Sequence, residues 1–160
     1  MAIKVGDKVP SGNFGVMKSE GPGSLSSDEL FKGKTVVLFS VPGAFTPTCS
    51  KTHLPGFVKN AGAIKAKGVD TIACLAVNDV FVMDAWKKAT GADNIDFLAD
   101  GNGDFAKAID LTLDASGNGL GMRSKRYAML VEDGVVKQLN IEEAPGKVEV
   151  SGGDALLKQL

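Results

Sequence analysis

Apolar residues in this chain gather into short, nearly continuous blocks, and between them the apolar spacing lengthens to a helical period. Residues 35–41 (Thr-Val-Val-Leu-Phe-Ser-Val) and 70–77 (Asp-Thr-Ile-Ala-Cys-Leu-Ala-Val) are β-rich and almost unbroken. Such runs predict strands buried on both faces. A third short strand is expected at 95–98. Two more, at 127–131 and 135–141, are joined by Glu132-Asp133-Gly134, a strong hairpin signal. Residues 47–67 carry a helical pattern that contains Pro55, which should kink or split it. Asn78-Asp79 caps a second helix through Phe81, Trp86 and Lys88. A third helix runs through Phe105 and Ile109, after the turn Asp100-Gly-Asn-Gly-Asp. Residues 154–160 form a short amphipathic helix. The first 34 residues read as loop-rich, with turn signals at Gly21-Pro-Gly-Ser and a capped helical turn at 26–31.

The resulting order, β-α-β-α-β-α-β-β-α, predicts an α/β fold: a mixed sheet with helices on both faces. A closing antiparallel hairpin after parallel crossovers resembles the thioredoxin arrangement. No linker divides the chain, so residues 1–160 are expected to form a single domain.

Composition narrows the function. With 18 basic and 19 acidic side chains, the net charge of −1 offers no basic field for nucleic acid or an anionic membrane surface. No apolar run approaches the roughly 18 residues that a membrane span needs. The N-terminus lacks the apolar core of a signal peptide. It is also compatible with the trimmed end of an imported precursor. Two cysteines make no disulfide framework, which points to a reducing compartment. There is no Cys-x-x-Cys.

The chemistry concentrates where the first strand ends. In Phe39-Ser-Val-Pro42-Gly-Ala-Phe45-Thr46-Pro47-Thr48-Cys49 a strand breaks into a loop that opens a helix. Thr46 suits the N-cap and Pro47 the first helical position, so Cys49 falls in the first turn. Backbone N–H groups are unpaired there, and the helix dipole favours an anion. Thiolate is the reactive form of cysteine. The polar neighbours Thr46, Thr48, Ser50, Lys51 and Thr52 fit a partly exposed site, whereas a buried structural cysteine is the plainer alternative. Cys74, mid-strand between Ala73 and Leu75, reads as core.

His53 lies four residues after Cys49, on the same helical face. It reads as a helix-surface residue. A Cys/His nucleophile pair and a metal set of Cys49, His53 and Cys74 are the alternatives, but zinc-ligand spacings are missing. Arg123, Lys125 and Arg126 form either a solvated basic turn or a source of guanidinium for Cys49. Asp100-Gly-Asn-Gly-Asp lacks the later glutamate of a calcium loop, and Gly117-Asn-Gly-Leu-Gly121 is a weak phosphate cradle. No cofactor or metal is implied.

The run Pro42-Gly-Ala-Phe-Thr46-Pro-Thr-Cys49-Ser-Lys-Thr-His53-Leu-Pro-Gly-Phe57 closely resembles the type II peroxiredoxins, the peroxiredoxin-5 subfamily. The match continues at 68–79, at Phe97-Leu-Ala-Asp-Gly and at Arg123-Ser-Lys-Arg126-Tyr-Ala-Met-Leu-Val-Glu-Asp-Gly, and is weakest in the first 30 residues. A pair of cysteines placed as Cys49 and Cys74 looks most like plant, algal and fungal members. The resemblance implies a thioredoxin fold and a thiol-dependent peroxidase acting on hydrogen peroxide and alkyl hydroperoxides. Cys49 matches the peroxidatic cysteine, and Thr46 the threonine that binds thiolate and peroxide. Pro42 matches the proline that shields the pocket, and Arg126 the arginine that favours the thiolate and polarises the peroxide. A homodimer is implied, with Phe45 and Phe81 as candidate contacts or as ordinary core. A cytoplasmic location is expected, with chloroplast or mitochondrion as the alternative.

The C-terminal resolving cysteine that some animal members of the family carry has no counterpart at 147–153. An external thiol, glutathione with glutaredoxin or thioredoxin, is therefore expected to reduce oxidised Cys49, and Cys74 is the internal candidate. Two other readings stay open: a peroxide sensor or redox relay, and a binding module with an inert cysteine.

Overall fold

The computed structural model describes residues 2–160. The two strongest apolar runs become neighbouring central strands. These are β3 (Thr35–Val41) and β4 (Thr71–Ala76), paired in parallel with Phe39 opposite Cys74. Strand β5 (Asp96–Ala99) adds in parallel beyond β4, and β8 (Tyr127–Glu132) adds antiparallel beside β3. The hairpin partner β9 (Val135–Ile141) closes that side. Asp133 and Gly134 both take positive φ at its turn, as the Asp-Gly signal requires.

The loop-rich expectation for the first 34 residues is corrected. They hold an antiparallel hairpin, β1 (Asn13–Lys18) and β2 (Gly21–Ser26), which docks on β5 through Gly15 and Ala99. Pro22 is tolerated because β2 is an edge strand, where a missing N–H breaks no ladder. The seven-stranded sheet runs β2-β1-β5-β4-β3-β8-β9. A separate two-stranded ribbon, β6 (Thr112–Asp114) and β7 (Met122–Ser124), precedes β8 and was not expected from the sequence.

Period-two alternation sends the central strands' side chains into two cores. Val37, Phe39, Val41, Ile72, Cys74 and Ala76 face one side, where they meet α2 (Leu54–Ala66), α3 (Val80–Thr90) and α5 (Gly153–Leu157). Val36, Leu38, Ala73 and Leu75 face the other, against α1 (Ser27–Phe31) and α4 (Asp104–Ala108). Each of these side chains is at most 2% exposed, which explains why the runs looked unbroken in sequence. The helices therefore cover both faces, as expected.

The caps follow the sequence closely. Asp79 Oδ1 accepts from Val82 N, and Ser26 and Glu29 form a capping box on α1. The carboxylate of Asp100 accepts from Phe105 N and Ala106 N, so the Asp100 turn serves α4. Helix α5 lies on α2 at Gly153, where an added Cβ would sit 2.5 Å from Gly56 O. That close approach fixes where the segment before α5 meets the helix carrying the cysteine.

Candidate active site

Strand β3 ends at Val41, and residues 42–46 turn the chain toward α2. Ala44 N donates to Asn78 Oδ1 at 2.9 Å, tying this loop to the end of β4. Phe45 holds a left-handed φ of 64°, a strained setting for an aromatic residue and one typical of functional loops. Thr46 precedes the helix, as predicted, and its carbonyl accepts from Ser50 N at 2.9 Å. Its hydroxyl does not cap the helix. It donates to Gly43 O at 2.6 Å, which leaves the oxygen's lone pairs able to accept from another group. Pro42 is buried at the rim, and its carbonyl receives Arg123 Nη1 at 3.4 Å.

The helix expected to kink or split over 47–67 does not break: it is helical from Pro47 to Ala66 and is widened just before Pro55. Residues Cys49–His53 form a wide π-type turn closed by Leu54 N donating to Cys49 O, and α2 follows with Pro55 in its first turn. Proline lies inside the continuous helical run, and the widened turn just before it accommodates the missing N–H. Widened turns of this kind favour functional sites. Cys49 itself has no exposed surface, so the partly exposed position expected from its neighbours is corrected.

His53 also departs from expectation. It is fully buried rather than on the helix surface, because the wide turn rotates it inward onto Phe39 and Phe57. Its Nε2 donates to Ser151 O at 2.8 Å, and its Nδ1 accepts from Arg126 Nη1 at 2.9 Å. Burial, reinforced by the Arg126 charge, lowers its pKa to about 3, so the ring is neutral at physiological pH. Both ring nitrogens are engaged. His53 is therefore neither the base of a Cys/His pair nor a metal ligand, and among the described residues no three His, Cys, Asp or Glu side chains group as a metal site.

Arg126, 2% exposed, begins at the β7–β8 junction and reaches across to the cysteine. Nη2 lies 3.1 Å from Cys49 Sγ, Nη1 donates to His53, and Nε donates to Pro145 O at 3.0 Å. Of the guanidinium's five N–H groups, three are thus engaged and two are uncommitted. Arg123 does not touch Cys49. It braces the rim through Pro42 O and Leu120 O. Cys74 faces the same core as Cys49, fully buried, and burial pushes its thiol well above the ordinary range, with the nearby Cys49 adding to the rise. Such a thiol stays protonated and is a poor nucleophile.

Sequence reasoning missed Asn78, Ser151, Pro145, Glu142 and Trp86. Trp86 Nε1 donates to Ser50 Oγ at 3.0 Å and so braces the turn from α3. Asn78 left a trace as part of a helix cap but serves the loop instead, and Trp86 left one only as a residue of that helix.

The arrangement is a buried sulfur held by a fixed cation, with spare donors directed by a rigid frame. The redoxin family profile matches residues 4–157 of this chain. The chain is a peroxiredoxin. Peroxiredoxin-2E, chloroplastic, of Arabidopsis thaliana is 48% identical, across 99% of this chain and 70% of that protein. Hybrid peroxiredoxin hyPrx5 of Haemophilus influenzae is 44% identical, across 100% of this chain and 67% of its own length. Reduced Prx3 of Vibrio vulnificus, solved in complex with H2O2, superposes with a TM-score of 0.94 at 49% identity, covering 98% of both chains. This peroxiredoxin accordingly has the thioredoxin fold and belongs among the thiol-dependent peroxidases. The binding-module reading with an inert cysteine falls away. No helix among the described residues is long and apolar enough to cross a membrane.

Proposed function

We propose that the chain, acting as one unit over residues 1–160, reduces hydrogen peroxide and alkyl hydroperoxides through Cys49. The thiolate attacks one oxygen of the peroxide. An S–O bond forms, the O–O bond breaks, and the leaving oxygen takes up a proton to depart as water or an alcohol. Cys49 becomes a sulfenic acid. The observation that carries this reading is Arg126 Nη2 at 3.1 Å from Cys49 Sγ with two guanidinium N–H groups uncommitted. Negative charge develops on the leaving oxygen, and prepositioned donors stabilise it. Arg126 is the main donor. Thr46 Oγ accepts from the peroxide's own hydroxyl, and Pro42 shields the sulfur from water.

Recycling proceeds through an external thiol. That thiol attacks the sulfenic sulfur, releasing water and leaving a mixed disulfide, and a second thiol restores Cys49. Glutathione with glutaredoxin, or thioredoxin, supplies these electrons. The buried, protonated Cys74 supports this route over an internal disulfide. Phe45 and Phe81, 53% and 64% exposed beside the site, support a homodimer that covers them, and their reading as core is corrected. The cytoplasm, or an organelle after removal of a leader, is the compartment consistent with thiol recycling. A sensor or relay role would share the first step and differ in passing the oxidation to a client.

The test is peroxide consumption by wild type and Cys49→Ser, each supplied separately with glutathione/glutaredoxin and with thioredoxin and its reductase. Sustained turnover only in wild type is expected, and the faster system identifies the reductant. A single stoichiometric burst with both reductants would turn the reading toward a relay.

A further inference from the structure

The chain between β9 and α5, residues 142–151, has no regular secondary structure, yet it bonds both the active-site arginine and its histidine partner. Pro145 O accepts from Arg126 Nε at 3.0 Å, and Ser151 O accepts from His53 Nε2 at 2.8 Å. An irregular strap holds such positions only if something fixes it. The fixing group is Glu142, only 7% exposed, whose side chain folds back under its own strap. Its Oε2 accepts from Glu149 N at 3.0 Å, Val150 N at 2.9 Å, Ser151 N at 2.7 Å and Ser151 Oγ at 2.6 Å. Three successive N–H groups and a hydroxyl thus converge on one carboxylate oxygen. Burial works against the charged form, but these hydrogen bonds outweigh it, so the carboxyl sits below its ordinary range and is an anion at neutral pH.

The consequence passes along a chain of single-direction hydrogen bonds. A carbonyl can only accept, so the placement of Ser151 O requires the His53 proton on Nε2. In a neutral ring Nδ1 then carries the lone pair, and it can receive Arg126 Nη1. With Nε held by Pro145 O, the guanidinium plane has two anchors before it meets Cys49. We propose that Glu142 is a positioning residue for the peroxidase reaction: by pinning the 142–151 strap it sets the His53 tautomer and the guanidinium orientation, keeping two Arg126 N–H groups free for the peroxide. The inference rests on the reading of Cys49 as nucleophile and Arg126 as donor. Glu142 touches neither the sulfur nor the substrate.

The role separates from a merely structural one by comparing two electrophiles. Peroxide leaves an oxyanion and needs the aimed donors. Iodoacetamide leaves iodide and needs only an accessible thiolate. In the reduced full-length protein, Glu142→Ala is expected to slow H2O2 oxidation of Cys49 by about tenfold or more, as a slight misplacement of a catalytic group does. Alkylation should change by less than about threefold, since it does not use the donors. Glu142→Gln keeps the volume and one acceptor oxygen but loses the charge, and an intermediate selective loss is expected. His53 is the chain's single histidine, so its long-range ¹⁵N–¹H spectrum is unambiguous. Wild type should show the Nε2–H tautomer alone, and Glu142→Ala a mixture.

An unchanged peroxide rate in folded Glu142→Ala, or in Glu142→Gln if the alanine variant does not fold, overturns the proposal. A parallel fall in both reactions, or an unaltered tautomer, overturns it equally. The tautomer measurement needs no peroxidase activity, so it fails or succeeds separately from the Cys49→Ser test of the reaction itself.

Discussion

Replacing Arg126 by lysine keeps the positive charge beside Cys49 and removes the fork, so it asks which of the two the reaction needs. The separation of 3.1 Å puts the cation–thiolate attraction at about 5 kcal/mol for an effective dielectric of ~20. Lysine retains most of that. What it cannot retain is simultaneous donation to Cys49 Sγ, His53 Nδ1 and Pro145 O, with two N–H groups to spare. An ammonium is a compact point charge with three donors, whereas the guanidinium is a rigid planar fork. Loss of an aimed oxyanion donor typically costs about 10²–10³ in rate. Arg126→Lys is therefore expected to slow the single-turnover reaction with H2O2 by about that factor. If the ammonium serves only Cys49, two buried acceptors lose their partner, at about 1–3 kcal/mol of stability each.

The reaction is followed by stopped-flow fluorescence of Trp86, the chain's single tryptophan, which is bonded to Ser50 next to Cys49. Iodoacetamide alkylation, read by intact mass, provides the control for thiolate access. A peroxide rate within about fivefold of wild type would mean that charge alone suffices, and the argument from aimed donors would be wrong. An equal loss in alkylation would point instead to a collapsed site.

Two further outcomes follow from burial. His53 has a pKa lowered to about 3 in the fold against 6.5 unfolded, so between those values the unfolded chain binds the extra proton. Its contribution to stability is complete above the unfolded value and is lost as pH falls toward the folded one. Linkage gives a loss of about 2 kcal/mol at pH 5 relative to pH 7.5. Urea unfolding at the two pH values should show this in wild type and not in His53→Gln, and identical pH dependence in both would exclude His53 as the source. For Cys74, alanine is the better probe than serine, because it places no hydroxyl in a site with no exposure. Cys74→Ala should keep sustained turnover with an external reductant, measured as continuous peroxide consumption, and its abolition with every reductant would identify Cys74 as the resolving thiol.

Legibility in the sequence followed how each element is buried. Strands β3 and β4 face a core on both sides, so their apolar runs are continuous and their ends readable. The hairpin β1–β2 was hidden because Gly21, Pro22 and Gly23 have turn composition, and only pairing with Val16 and Met17 makes them a strand. Strands of three residues, such as β6 and β7, fall below any periodic signal. At the site, Arg126 was found through the motif around it, since spacing alone left it as a solvated basic turn. His53 was misplaced because a π turn and an α-helix share a sequence pattern but differ in which face the fifth residue meets. Glu142 had no signal at all. Its partners are backbone N–H groups, which carry no residue identity.

The burial of Cys49 sets a condition that the same hydrogen bonds both impose and can release. With no exposed surface, the sulfur can be reached only when the residues around it move, and a bulky thiol demands more movement than a small peroxide. On the proposed recycling route, reduction of the sulfenic acid is expected to require the 49–53 turn to open. Its closures include Leu54 N to Cys49 O, Ser50 N to Thr46 O, Trp86 to Ser50, His53 to Ser151 O and Arg126, and Arg126 to the sulfur. The last is an ion pair only while the sulfur is an anion; a neutral sulfur still accepts from the guanidinium but loses the Coulomb attraction. Oxidation to a neutral sulfenic acid adds an oxygen to a filled space and weakens that bond at the same moment. In the proposed reaction the turn would thus be firmer around the thiolate that meets the peroxide, and looser around the product that meets the reductant. A regular α-helical turn, with its tighter ladder, would protect both states alike, which gives the widened turn at Cys49 a physical purpose.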